Sequence, residues 1–181
     1  NNNQEIVDKS FTIILGITPN VGFKILLKLK FPENKKIISL ISTINLEKLK
    51  KVTKNKNIVR VTPLPPIEIK KGPIVICPPN KGAKNIFKHL GEVVEIKNEK
   101  QSNKFWATSS IMAAYYEILN VSSNWLIKRG INKTIANNYI SELFLSLSQD
   151  AVNKRSQGFK KLVADSQTPK GLNMQVLNEL K

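Results

Sequence analysis

The sequence holds one cysteine, Cys77, and one histidine, His89. A disulfide within the chain is excluded, and a zinc site of the usual Cys/His kind lacks its ligands. A Ser-His-Asp set would place every proton transfer on His89, so hydrolytic chemistry is disfavoured. Neither G-x-G-x-x-G nor a P-loop lysine motif occurs. Apolar runs such as Phe11–Ile17 fall far short of the roughly 20 residues that span a bilayer, and no membrane association is expected. Arginine is scarce: Arg60, Arg129 and Arg155 stand among 29 basic residues. The formal net charge of +16 therefore rests on lysine, whereas base and phosphate recognition favours the planar guanidinium fork. The lysines are spread along the chain, from Lys24 through Lys48 to Lys71. This reads as a solvated basic surface and not a nucleic-acid interface, although such a surface attracts anionic ligands, a dinucleotide included. The lone cysteine fits a reducing cytoplasm. Cys77 reads as a small buried residue at a strand end, and His89 as a capping or surface residue.

What is present is a change of pattern near residue 98. Before it, short β-branched runs alternate with helical segments; after it, every segment has helical spacing. The fold class expected is α/β followed by all-α: a partial Rossmann-type parallel sheet over residues 1–97, then a helical domain over 98–181, whose apolar surface on more than one side suggests a central position or a subunit interface. Strands are expected at Phe11–Ile17, Lys36–Ile41, Ile58–Val61, Ile74–Cys77 and Glu92–Ile96. Helices are expected over Val21–Leu29, capped by Asn20, over Leu46–Val52, capped by Asn45, and over Asn80–Leu90, ended by Gly91. The prolines of Thr62-Pro63-Leu64-Pro65-Pro66 should release the chain from the sheet. In the back half, the stripe Ile111, Met112, Tyr115, Ile118, Leu119, Trp125, Leu126 predicts a long helix between Lys100 and Arg129. A second stripe from Ala136 to Ala151 follows an Asn132 cap. A third helix is expected near Gln157–Asp165, and a last one opening at Thr168-Pro169 with proline in its first position.

Three loops are candidates for chemistry. Gly16-Ile17-Thr18-Pro19-Asn20 lies at a strand's carboxyl end and opens a helix, the edge where open α/β sheets bind ligands; an ordinary strand–helix turn reads the same way. Thr62–Pro66 is a stiff segment at another such end, and a plain crossover is equally compatible with it. Ser166–Asn173 leads into a helix, so backbone N–H groups at Lys170, Gly171 and Leu172 should point outward and attract a carboxylate or phosphate. Gly171 permits close approach, and Thr168 and Asn173 add hydrogen-bonding side chains. A helix capped by its own Thr168 is the alternative. Hydride transfer suits such a chain, because the cofactor carries the reactivity and the protein orients it.

In order and spacing these segments resemble pyrroline-5-carboxylate reductase. That family's strand ending in Ala-Val-Lys-Pro corresponds to Gly16-Ile17-Thr18-Pro19. Its Val-Arg-x-Met-Pro-Asn-Thr-Pro segment corresponds to Val59–Pro66, and its Gly-x-Val-x-x-Val phrase to Gly91–Ile96. Its Ser-Gly-Ser-Gly-Pro-Ala-Tyr helix corresponds to Ser109–Tyr115, and its Thr-Ser-Pro-Gly-Gly-x-Thr loop to Gln167–Asn173. The resemblance implies a dinucleotide-binding front domain and back helices that interlock with a second subunit, hence a homodimer or higher homo-oligomer. It implies NADP or NAD as cofactor and hydride addition to the C=N carbon of a small cyclic imino acid. Gly16, Ile17, Thr18, Pro19, Asn20, Thr62 and Pro63 would then line the cofactor. Ser109, Ser110, Thr168, Lys170, Gly171, Leu172 and Asn173 would line the substrate, with Thr168 and Asn173 closest to catalysis. The chain departs from the pattern at Leu64, where the family has asparagine, at Ser110–Ala113, which favour an unbroken helix, and at Asn173, where the family has threonine. These departures point to a divergent paralogue with an altered substrate. A related dehydrogenase for another keto or imino acid, or a non-catalytic dimeric scaffold, are the alternative readings. The glycine fingerprint is expected upstream of Asn1 and the family's closing helix beyond Lys181, so the chain reads as part of a longer protein.

Overall fold

Alternating β-branched runs become a five-stranded sheet because each strand has apolar side chains on both faces and needs helices over both. The structure, a computed structural model, describes residues 2–41 and 43–180. Two compact units divide the chain, Asn1–Ser110 and Ile111–Lys181.

In the first unit, strands β1 (Thr12–Leu15), β2 (Lys36–Ser39), β3 (Ile58–Pro63), β4 (Pro73–Cys77) and β5 (Glu92–Glu95) pair in sequence order. One face is covered by α1 (Asn3–Lys9), α2 (Pro19–Leu26) and α3 (Leu46–Thr53), whose Val7, Leu26 and Leu49 bury Ile13, Leu15, Ile37 and Ile58. The other face carries α4 (Lys81–Phe87), whose Ala83 and Phe87 pack with Ile38, Val59, Val61, Ile74 and Ile76. Asn45 and Asn80 accept the capping N–H bonds of α3 and α4 from Lys48 and Ala83, as their sequence positions foretell. α5 (Glu99–Ser109) closes the unit and meets β4.

The sheet is mostly parallel, with one reversal. β4 runs antiparallel to β3, with Thr62 opposite Val75 and Pro63 opposite Ile74. The connection Leu64–Gly72 carries only a 3-10 turn, Pro65–Ile69, and is too short for the dozen or more residues of a parallel crossover. The release expected over Thr62–Pro66 falls at Leu64, two residues later than the strand end read from sequence. β2 pairs with β3 only as far as Arg60, so Pro63 stands where the ladder toward β2 has already ended and its missing N–H costs nothing there.

Helix boundaries also differ from the sequence reading. α2 begins at Pro19, with Thr18 and not Asn20 at the cap position, and Gly22 N–H reaches Thr18 O at 2.7 Å. Proline at the first helical position explains the early start. The last turn of α4 ends at Phe87, so His89 lies in the turn before Gly91. The long helix between Lys100 and Arg129 is two helices, α5 and α6 (Met112–Ile127), interrupted at Ser110 and Ile111. The hydroxyls of Thr108, Ser109 and Ser110 each donate to the carbonyl four residues back, a pattern that bends helices. The last helix, α9 (Leu172–Glu179), starts three residues after Pro169. Lys170 adopts a left-handed φ of 61°, which no right-handed helix can include.

In the second unit, α6 and α7 (Lys133–Asn153) form a hairpin turned at Gly130, φ 89°. Ser123 donates to Asn137 near the turn at 2.6 Å, and Tyr115 meets Phe144 edge-on farther along. α8 (Phe159–Asp165) and α9 follow. Only Ser123, Ala136 and Ile140 are buried among the described residues of this unit. No helix of the described residues is long and apolar enough to cross a membrane.

Candidate functional site

Three parallel strands end on the same edge of the sheet because Leu15, Ser39 and Arg60 lie level across β1, β2 and β3. Gly16, Ile17, Thr18, Pro19 and Asn20 continue from β1 at that edge, and Thr62 and Pro63 complete β3 there. The two loops singled out from sequence are thus brought to one side of the first unit. Gly16 is exposed, and a Cβ placed on it would meet nothing within 4 Å. Gly22 has the opposite reason: a Cβ there would stand 3.0 Å from the Ile17 side chain, so α2 can approach the loop closely. No side chain caps the start of α2, which leaves first-turn N–H groups at Asn20 and Val21. The Pro19 side chain lies outside the described residues. This open edge, with uncapped amides and no side chain over Gly16, fits a dinucleotide lying against it.

A buried polar row crosses the sheet just below this edge. Ser39, Arg60 and Cys77 are level and nearly inaccessible. Arg60 forms an ion pair with Glu99, the first residue of α5. Its guanidinium also stacks on Trp106, 5.0 Å from the ring centroid. Glu99 accepts the Leu46 N–H with both oxygens, at 2.9 and 3.0 Å, capping α3 from 53 residues away. A cavity of about 520 Å³ opens beside this cluster, lined by Asn45, Asn98, Asn103 and Trp106 among others. Burial pushes the Cys77 thiol up; the charge of Glu99 adds to this and Arg60 opposes it. Cys77 is inert packing, as its sequence position indicates.

Glu99 and Trp106 carry no motif and were missed in the sequence. One signal pointed toward them. An arginine inside the apolar strand Ile58-Val59-Arg60-Val61 needs a carboxylate brought from elsewhere in the chain.

Ser109 and Ser110 stand at the end of α5, with both hydroxyls donated to their own helix. Their oxygens remain acceptors. Thr168, Lys170, Gly171, Leu172 and Asn173 belong to the second unit. There Gly171 N–H is used in the turn, donating to Thr168 O at 2.9 Å. Of the three expected outward donors, the Gly171 N–H is thus spent inside the turn, while Leu172 opens the first turn of α9 together with Asn173 and Met174. Gly171 sits at the cap position, and no side chain caps the helix, so Thr168 does not plug it. A Cβ on Gly171 would fall 2.2 Å from Thr168 Oγ1, so any side chain there would force the Thr168 hydroxyl to move. Asn173 Nδ2 donates to Ser166 O at 2.8 Å, so this side chain holds the loop together. Among the described residues no group of three His, Cys, Asp or Glu side chains is placed to hold a metal ion.

A mostly parallel sheet with an open carboxyl edge, followed by helices, is an architecture found among dinucleotide-binding proteins. No protein-family model and no curated protein matches the chain. Solved structures do. A pyrroline carboxylate reductase from Plasmodium falciparum, with NADP bound, superposes with a TM-score of 0.84 at 24% identity, over 99% of this chain and 72% of its own. A 1-pyrroline-5-carboxylate reductase from Streptococcus pyogenes gives 0.82 at 22% identity, over 98% and 71%. A reductive aminase from Aspergillus terreus, in complex with NADPH and ethyl levulinate, gives 0.61 at 13% identity, over 97% and 66%. The chain has the fold of pyrroline-5-carboxylate reductases along nearly its whole length.

Proposed function

We propose that this chain belongs to an NADP(H)-dependent reductase that converts a small cyclic imino acid of the pyrroline-5-carboxylate kind to the saturated amino acid. The observation that carries the reading is the likeness in fold to such reductases over 98–99% of the chain. When bound, NADPH supplies a hydride for the imine carbon, and the imine nitrogen keeps or takes a proton. The chain's own residues have binding and orienting tasks. The open edge from Gly16 to Asn20, together with Thr62 and Pro63, provides a wall for the nicotinamide side of the cofactor. The first-turn amides of α2 favour negative charge near them.

The first turn of α9 presents N–H groups at Leu172, Asn173 and Met174 to the substrate carboxylate. Lys170, beside it, adds positive charge. Asn173 acts by fixing the loop, because its amide is committed to Ser166 O, and Thr168 is the hydroxyl of this loop offered to the substrate. A protonated imine is already electrophilic, so no strongly shifted acid or base is needed. The working form is a homodimer through the second unit, supported by its large exposed apolar side chains, among them Val121, Trp125, Tyr139 and Leu145.

Titration with NADPH, followed by nicotinamide fluorescence, tests the cofactor. Loss of NADPH absorbance with pyrroline-5-carboxylate, set against acyclic 2-oxo acids plus ammonia, tests the substrate. Saturable NADPH binding and turnover of the cyclic imine are expected. Absence of NADPH binding to the complete folded protein would overturn the reading in favour of a scaffold. Turnover of the 2-oxo acids alone would move it to the related dehydrogenases.

A further inference from the structure

α5 is seated in an unusual way. Ser102 is its only fully buried residue among those described, so apolar burial contributes little to holding it on the sheet. What holds it is polar and aromatic. Its first residue, Glu99, binds Arg60 of β3 and the first amide of α3, and its Trp106 covers the Arg60 guanidinium. A buried ion pair adds little stability relative to a well-packed apolar substitute, and its best-attested use is to fix one arrangement among several.

We propose that Arg60, Glu99 and Trp106 form a latch that seats α5, which makes Glu99 a positioning residue for Ser109 and Ser110. The ion pair stands two residues before Thr62, so the latch joins the start of α5 to the strand that supplies the candidate cofactor edge. Glu99 also fixes the start of α3, the segment that follows β2 from the same edge. One carboxylate thereby ties together three segments around the cavity beside Trp106. The consequence for Ser109 and Ser110 rests on the imine-reductase reading above; the latch itself does not.

Hydrogen exchange on the whole chain, wild type against Glu99→Gln and Arg60→Lys, separates the two. Glu99→Gln keeps the side-chain volume and one acceptor for Leu46 N–H but removes the charge facing Arg60. Arg60→Lys keeps the charge but loses the planar face against Trp106, and serves if the glutamine variant does not fold. The amides of residues 103–109 are expected to lose protection by about tenfold or more, while those of β3 and β4 hold theirs. Unchanged protection in α5, or equal loss across the sheet, would overturn the latch. In an active enzyme the same variant should raise the imine KM by roughly tenfold with kcat within about twofold. A loosened α5 with an unaltered KM would overturn the positioning role. Wild-type protein that binds no NADPH and reduces no imine would sink the functional reading, and the exchange pattern would still decide the latch.

Discussion

Single residues carry constraints that follow from atoms within a few ångström. Gly171 is one: its φ is an ordinary −72°, so strain is not the issue, but a Cβ would collide with Thr168 Oγ1 at 2.2 Å and approach Thr168 O at 3.0 Å. Gly171→Ala is expected to displace Thr168 and raise the imine KM by roughly tenfold, with little change in melting temperature for so exposed a turn. Steady-state kinetics beside a thermal melt checks this. Gly91 is a different case. A Cβ there would meet Gly72 O at 2.5 Å, a backbone atom that cannot step aside, next to the Glu92 N–H to Gly72 O bond that starts β5. Gly91→Ala should destabilise the first unit by about 1–3 kcal/mol, measurable by urea unfolding. Cys77 offers a third check. With its thiol buried and pushed up, it should resist alkylation in the native protein and react promptly once unfolded.

At the scale of elements, helix ends explain most of the local order and most of the disagreements with sequence. The asparagine caps at positions 45, 80, 98 and 132 all accept first-turn amides, and Asn80→Ala should cost about 1 kcal/mol. The α4 and β5 elements are also joined by Glu95, which accepts from Lys84 Nζ at 2.8 Å and from Asn80 N–H at 3.1 Å. The Lys84 hydrogen bond, more than the Asn80 amide, holds the Glu95 carboxyl below its ordinary range. A depressed folded-state value means that the contribution is present above the usual carboxylate range and is lost as pH falls through the lowered value. Glu95→Gln should therefore lower the urea midpoint near pH 7, and the gap from wild type should close as pH falls through the lowered Glu95 value. The break between α5 and α6 was not legible because the side chains at Ser110–Ala113 favour helix. It arises from the paired hydroxyl back-bonds at Ser109 and Ser110.

At the scale of the whole molecule, the two units differ in what they bury. The first has apolar cores on both faces of its sheet. The second leaves Ile118, Val121, Trp125, Tyr139, Leu145 and Leu147 more than half exposed. A hairpin with three buried residues cannot offset the conformational entropy of its ordering, so its stability should depend on protein concentration. Light scattering is expected to give about twice the 20.4 kDa chain mass or a multiple of it. Leu145→Asp should lower both that mass and the melting temperature of the helical part. A monomeric chain with a concentration-independent melt would remove the homodimer from the proposal.

The sequence by itself determined the alternation of strands and helices, the helical back half, the Asn45 and Asn132 caps and the burial of Cys77, because each depends on residues within one or two turns. It also placed Gly16–Asn20 and Thr62–Pro63 at strand ends. Tertiary structure alone decided the reversal at β4, the use of the Gly171 amide inside its own turn, and the carboxylate facing Arg60. The ion pair joins residues 39 apart and the α3 cap joins residues 53 apart. No periodicity within a segment encodes such a meeting, since it exists only once the sheet has brought the start of α5 over β3.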